Sequence, residues 1–128
     1  QFYSASDYIQ AQRYRKKMMT KFNEFFKDVD AIVTPTVPDV AQEIKEYEKE
    51  TSFTRGKFTF IANILGLPAL SLPCGFSKEN LPIGLQIMGP AFQEGEVLSI
   101  GHVYEQMANY YKMMPDEALW EKTAEFLT

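Results

Sequence analysis

Few side chains in this sequence are suited to nucleophilic chemistry. The 128 residues include one cysteine, Cys74, and one histidine, His102. A Ser-His-Asp hydrolase needs an imidazole beside its nucleophile, but His102 lies on a predicted helix far from Ser71 in sequence. We interpret His102 as a surface or core-edge residue and Cys74 as a small buried hydrophobe. The chain by itself offers no recognisable catalytic triad.

Metal and cofactor chemistry is not indicated either. The acidic residues concentrate in residues 43–50 and 116–125, in patterns typical of solvated surfaces rather than of a converging acid/base pair. One cysteine and one histidine are too few for a Cys/His zinc site, and neither GxGxxG nor GxxxxGK[ST] occurs. We therefore expect no metal and no cofactor.

The composition bounds the class of protein. Hydrophobic residues make up 45% of the chain and charged residues 23%, as in an ordinary globular domain. The net charge of -4 argues against a direct nucleic-acid partner. No apolar run reaches the roughly 18 residues of a membrane span, and a single cysteine fits a reducing compartment. We expect one domain segment, residues 1–128, in a cytoplasmic protein.

Hydrophobic periodicity predicts an α/β chain. The predicted elements are a helix over residues 6–27, a strand over 30–34, a helix over 52–65, strands over 69–73 and 83–88, a helix over 93–111 and a final helix over about 115–126. Ser6 is the predicted cap of the first helix. The apolar side of the 93–111 helix is predicted to contain Val97, Ile100, Tyr104, Met107 and Ala108.

Several residues have types that suit structural roles. Arg15 lies within the apolar stripe of the first helix, where it either extends its charged end to solvent or pairs with a carboxylate or carbonyls. Gly66 and Gly75 suit positive φ or close backbone approach. Pro68 and Pro73 are expected to end their elements.

Two polar residues lie within otherwise apolar segments. Asn63 is near the end of the second predicted helix, and Gln86 is in the last strand. We expect both to be buried structural polar groups with hydrogen-bond partners.

Two sequence runs resemble a known pattern. They are FTFIANILGLPALSLPCGF (residues 58–76) and LPIGLQIMG (residues 81–89), and they follow DAIVTPTVP (residues 30–38). Together they resemble the C-terminal part of the amidase signature family. Phe92, Glu94, Leu98, Tyr104 and Glu105 are similar to the closing helix of that family.

The resemblance implies a fold and a reaction for the larger protein. The fold would be an α/β/α domain with a mixed sheet flanked by helices, of which this chain is the C-terminal portion. The reaction would be hydrolysis of a small-molecule amide by a serine, a second serine in a cis peptide and a lysine. Those residues belong to an N-terminal part that is absent from this sequence, so no catalytic residue is assigned here.

The resemblance also indicates which residues border the substrate. Arg55, Gly56, Phe58 and Thr59 open the helix that lies against the pocket in the family, so they are our candidates for acyl-group specificity. In the family's glutamyl-tRNA(Gln) amidotransferase members, an aspartate that recognises the amino group of glutamine precedes this helix. Gly56 stands at that position here, which favours a general amidase over the amidotransferase.

A third hypothesis is non-catalytic. In this hypothesis the chain is a stand-alone module that has only this part of the family's fold. It would then have an uncovered sheet edge and an uncovered apolar face, which self-association would cover most simply. We therefore keep a homo-oligomer as a possible state of the chain.

Overall fold

The computed structural model describes residues 2–42 and 56–114. The predicted final helix over residues 115–126 lies outside the described residues. So do Arg55 and the first residues of the predicted helix over 52–65.

Within the described residues, three helices and three strands follow one another in the predicted order. They are α1 (Ala5–Phe25), β1 (Ile32–Pro35), α2 (Thr59–Leu65), β2 (Ala69–Phe76), β3 (Pro82–Met88) and α3 (Glu94–Ala108), and a single 3-10 turn follows at Tyr110–Lys112. The chain is therefore α/β, as predicted. No helix within the described ranges has both the length and the apolar character needed to cross a membrane.

The first helix begins earlier than predicted, because Ser4 rather than Ser6 is its cap. The hydroxyl of Ser4 accepts a hydrogen bond from the backbone N–H of Asp7 at 3.2 Å. The Asp7 carboxylate accepts from the Ser4 hydroxyl and the Ser4 backbone N–H in return. These bonds lower the pKa of Asp7. The reciprocal capping box satisfies the backbone N–H groups of Ser4 and Asp7 at the start of the helix.

All strand pairs of the described sheet are antiparallel. The order is β1-β3-β2, so β3 is central and the other two strands are its neighbours. Residues directly across the sheet include Thr34 and Ser71, both opposite Gln86. Directly opposed residues project from the same face, so these three side chains share one face of the sheet.

Pro73 does not end β2 as predicted. Pro35 is the last residue of β1, and β2 continues through Pro73 to Phe76. The pairing is irregular between Pro73 and Gly75, and Gly75 has a φ of 151°. Proline is tolerated on outer strands and at bulges, and glycine readily adopts this conformation. The bulge therefore lets β2 pass Pro73 without breaking the sheet.

The sheet separates two hydrophobic clusters. On one face, Met88 packs with Ala62, Leu65 and Leu67, and α1 adds partly buried side chains. On the other face, Ile87 packs with residues of β2 and α3. Ile87 and Met88 are each only 1% exposed. Adjacent residues of one strand point to opposite faces, so β3 supplies the centre of both clusters and the segment has α/β/α layering.

Helix α3 packs on β2 through a narrower face than predicted. Val97 and Gly101 are buried, and Ile100 and Tyr104 contact the same cluster. Met107 is 80% exposed, so its predicted place on the packed face is wrong. The helix ends at Ala108 because Asn109 adopts a left-handed conformation with φ of 59°. Met107 therefore lies in the last turn of the helix, where its side chain faces solvent.

We predict that Gly101→Ala destabilises the fold by about 1–3 kcal/mol, as expected for overpacking. A Cβ at position 101 would overlap the side chain of Leu70 and come within 3.2 Å of Leu72 Cδ1. Gly95→Ala is the matched control, because a Cβ there meets nothing within 4 Å. Urea unfolding of both variants measures the difference, and equal midpoints would contradict the close packing of α3 on β2.

Candidate functional site

The described pocket candidates form the turn that leads into α2. The backbone carbonyl of Gly56 accepts hydrogen bonds from the Phe60 N–H at 2.9 Å and from the Thr59 hydroxyl at 3.3 Å. Gly56, Phe58 and Thr59 are all partly buried. The structure thus brings these three residues together, whereas Arg55 lies outside the described residues. We refer to residues 56–59 as the α2 turn.

Gln86 connects the α2 turn to the sheet. Its Nε2 donates to the Thr34 hydroxyl at 3.1 Å and to the Phe58 carbonyl at 3.3 Å. The residue is 3% exposed, and no buried side-chain N or O atom in the described part of the chain lacks a partner. The expectation of a buried, hydrogen-bonded Gln86 is confirmed. The sequence did not indicate that one of its partners is the α2 turn.

The hydroxyl groups of Thr36 and Ser71 lie beside Gln86 and Thr34. We call these four polar side chains the polar row. The side-chain oxygens of Thr36 and Ser71 are 2.6 Å apart, which is a short hydrogen bond between the residue that follows β1 and a residue of β2. Sequence analysis did not identify Thr34 and Thr36 as site residues. Their alternation in the sequence Thr34-Pro35-Thr36 is the available signal, since alternate residues of a strand share a face.

Gly84 leaves room for this hydroxyl pair. A Cβ at position 84 would be 2.8 Å from Thr36 Oγ1 and 3.3 Å from Ser71 Oγ. Both distances are shorter than ordinary van der Waals contacts between carbon and oxygen. The absence of a side chain at position 84 therefore permits the Thr36 hydroxyl, just after β1, to bond the Ser71 hydroxyl on β2.

At the α2 turn, an aromatic ring occupies the space beside Gly56. A Cβ at position 56 would be 2.5 Å from Phe60 Cζ and 2.7 Å from Phe60 Cε1. Any side chain at position 56 would therefore require the Phe60 ring to move. Among the described residues, the side chain next to position 56 is this apolar ring, which bears on the ligands that the site can accept.

The opposite end of α2 is held by α1. The Arg15 Nε donates to the backbone carbonyl of Ile64, although Arg15 is largely exposed. The last carbonyls of a helix have no partner within the helix and carry partial negative charge. Arg15 therefore both extends into solvent and pairs with a carbonyl, which combines its two predicted roles. The pairing fastens α1 to α2.

Further structural predictions concern the last part of α2 and the residues that follow it. Gly66 has a φ of 68° and caps α2 in the left-handed conformation, as predicted. The carbonyl of Pro68 accepts a hydrogen bond from Gly89 N–H at 3.1 Å, which closes the start of β2 against the end of β3. Asn63, in contrast, is exposed, so its predicted burial is wrong. It projects from the side of α2 that does not face the sheet cluster.

The groups considered for nucleophilic chemistry are not assembled into a site. Cys74 is a free, partly buried thiol, and His102 is exposed on α3. Burial raises the pKa of Tyr104, and the neighbouring Cys74 and Tyr110 raise it further, which makes Tyr104 a poor base near neutral pH. No group of three or more metal-ligating side chains is found in residues 2–42 and 56–114. What the site offers is shape and hydrogen bonding.

Comparison with known proteins gives a consistent match. The family model described as Amidase matches residues 1–98. The glutamyl-tRNA(Gln) amidotransferase A subunit of Brevibacillus brevis is 43% identical over 111 residues, which cover 85% of this chain and 23% of the relative. This chain thus spans about a quarter of the length of the curated relatives it matches.

Solved structures show the same fold. The corresponding amidotransferase chain from Thermotoga maritima matches with a TM-score of 0.63 and 41% identity, covering 70% of this chain and 20% of that one. A solved amidase matches with a TM-score of 0.76 and 25% identity, covering 83% of this chain and 26% of that one. The segment described above is thus similar in structure to parts of larger enzymes.

We predict that Gly84→Ala breaks the Thr36–Ser71 hydrogen bond and lowers the free energy of unfolding by about 1–3 kcal/mol. The added methyl group displaces Thr36, whose Cβ would be 3.1 Å away. Ser71→Ala is the control, because it removes the same exposed hydrogen bond without adding volume and should cost about 1 kcal/mol or less. Chemical denaturation distinguishes them, and an equal cost would show that volume at position 84 is unimportant.

Proposed function

The chain belongs to the amidase family, and from that premise we propose that it supplies the C-terminal part of an amide-bond hydrolase. In this proposal the chain contributes sheet strands, flanking helices and one wall of the substrate pocket. The catalytic serine, the cis-peptide serine and the lysine come from an N-terminal part outside this sequence. The substrate is a small-molecule carboxamide, and the protein is cytoplasmic.

The observation that carries this proposal is the way the α2 turn is held. Its backbone is bonded through Phe58 to Gln86, on the strand that is central to the sheet. A pocket wall must keep its geometry while substrates bind and leave. The wall in this chain has apolar groups next to a polar row, which is the usual composition of a small-molecule site.

In the proposed reaction the carboxamide acylates the serine. The serine oxygen attacks the amide carbonyl, the C–N bond breaks, and ammonia or an amine leaves with a proton. Water then attacks the acyl-enzyme ester, which releases the carboxylic acid and returns the proton to the serine. The described residues contribute by orienting the acyl group, and none of them forms a covalent bond.

The second candidate function is that of the glutamine-hydrolysing chain of a glutamyl-tRNA(Gln) amidotransferase. It is favoured by the identities of 41–43% to proteins of that name, against 25% to the solved amidase. It is disfavoured by Gly56, where the ligand's ammonium group would lack a carboxylate partner, and by the Phe60 ring beside that position. We rank the general amidase first because an unpaired buried charge costs about 2–5 kcal/mol.

We predict that the isolated 128 residues release no ammonia or amine from simple carboxamides such as propionamide or benzamide. The nucleophile and the lysine are outside this chain, so there is no group to form the acyl intermediate. Ammonia release is measured over several hours. Turnover that persists in the Ser71→Ala and His102→Ala variants would contradict the proposal, because it would require a nucleophile elsewhere in the chain.

A hybrid enzyme tests which amide is the substrate. This chain replaces the matching 111 residues of the Brevibacillus brevis protein, and the hybrid is assayed in its reconstituted complex. We predict that glutamine-dependent ammonia release falls at least about 30-fold, the lower bound for losing a buried charge partner. Gly56→Asp combined with Phe60→Leu should restore most of the rate, because it adds the carboxylate and the space for it.

The matched control for the hybrid is Gly56→Asn with Phe60→Leu. Asparagine has the shape of aspartate without its charge, so it should not restore glutamine use. A hybrid that keeps the full glutamine-dependent rate with Gly56 in place would favour the amidotransferase instead.

A further inference from the structure

Gln86 is the one buried polar side chain among the described residues, which are 2–42 and 56–114. It lies on the central strand β3, on the face that carries Thr34 and Ser71. A buried carboxamide is costly unless its hydrogen-bonding groups have partners. A carboxamide among apolar neighbours therefore needs specific hydrogen-bond partners. The partners of Gln86 indicate its role.

The orientation of the Gln86 carboxamide follows from those partners. The Phe58 backbone oxygen is only an acceptor, so the amide NH2 group must face it. The same Nε2 donates to Thr34 Oγ1. The two hydrogens of the NH2 group are thus matched to two acceptors, one on β1 and one on the α2 turn. Methionine, an unbranched side chain of similar length, would provide neither donor.

The α2 turn depends on the hydrogen bond from Gln86 to the Phe58 carbonyl. Helix α2 has seven residues, and Phe58, its N-terminal cap residue, makes no side-chain capping hydrogen bond. An isolated helix of this length is unstable in water, so outside contacts must fix its first turn. Arg15 holds the Ile64 carbonyl at the other end, and Gln86 holds the Phe58 carbonyl at this end.

We propose that Gln86 is a positioning residue that fixes the α2 turn against the sheet and thereby sets the shape of the acyl-group pocket. The inference rests on the proposed function, because it assigns the α2 turn to the pocket wall. Gln86 acts through the Phe58 backbone and touches no substrate. Losing it frees the turn, so substrate binding weakens while the chemical step is retained once a substrate is bound.

The first test measures the protection of backbone amides from hydrogen exchange. It compares Gln86→Met with Gln106→Met in the full-length protein. Gln106 is exposed on α3, so the same change of side chain is made away from the turn. In Gln86→Met we expect protection of the Phe60 amide, which bonds the Gly56 carbonyl, to fall about tenfold, the effect of losing about one hydrogen bond. The Leu67 amide, bonded to the Ala62 carbonyl beyond the other end of α2, should keep its protection.

The second readout is kinetic. Gln86→Met should raise KM for carboxamides with bulky acyl groups about tenfold, leave KM for acetamide within about twofold, and leave kcat within about twofold. Gln106→Met should change neither constant. A loss of kcat with unchanged KM, or a uniform loss of amide protection throughout the protein, would overturn the proposal in favour of a purely structural role.

Gln86→Glu keeps the test decisive if Gln86→Met does not fold. A protonated carboxyl group can donate to the Phe58 carbonyl, whereas the ionised form is repelled by it. The ratio of Phe60 to Leu67 protection should therefore rise as the pH is lowered in Gln86→Glu and remain constant in the wild type. A ratio independent of pH in both proteins would contradict the proposal. A wild-type protein that cleaves no carboxamide would defeat the proposed function, whereas the exchange ratio would still decide the role of Gln86.

Discussion

The central strand β3 has to be covered on both faces and paired on both edges, and the other elements are arranged to satisfy that requirement. Its consecutive residues Gln86, Ile87 and Met88 are almost completely buried but point alternately to opposite sides of the sheet. One side is covered by α3, and the other by α1 and α2. Strands β1 and β2 take up the two rows of backbone hydrogen bonds. A strand with this pattern cannot be stable without helices on both faces.

The same requirement explains why the polar part of the molecule is close to its apolar core. Gln86 shares a face with Met88, so its carboxamide needs acceptors in a region that is otherwise closed to water. Thr34 and the Phe58 carbonyl provide them. Because Phe58 belongs to the α2 turn, satisfying one buried group also positions the segment that we propose as part of the pocket wall.

In the proposed enzyme the N-terminal part performs the chemistry and this chain forms a wall of the pocket. The chemical nature of the described residues agrees with that assignment. The described part of the chain holds hydroxyls, a carboxamide and an aromatic ring in defined positions, and these groups orient ligands rather than react with them. In the proposed function, glycine in place of an acidic residue at position 56 changes which ligand charge the pocket accepts. Under that proposal, the residues that determine specificity and the residues that perform the chemistry lie in different segments of the enzyme.

Sequence alone predicts the order and type of the described elements, the left-handed cap at Gly66 and the burial of Gln86. Those features depend on local periodicity, glycine conformation and residue polarity, all of which can be recognised without knowing the neighbours in space. The tertiary structure decided the passage of β2 through Pro73, the exposure of Asn63 and Met107, and the joining of Arg15 to Ile64 and of Gln86 to Phe58. Each of these depends on contacts between residues distant in sequence, and their energies outweigh the weaker local preferences.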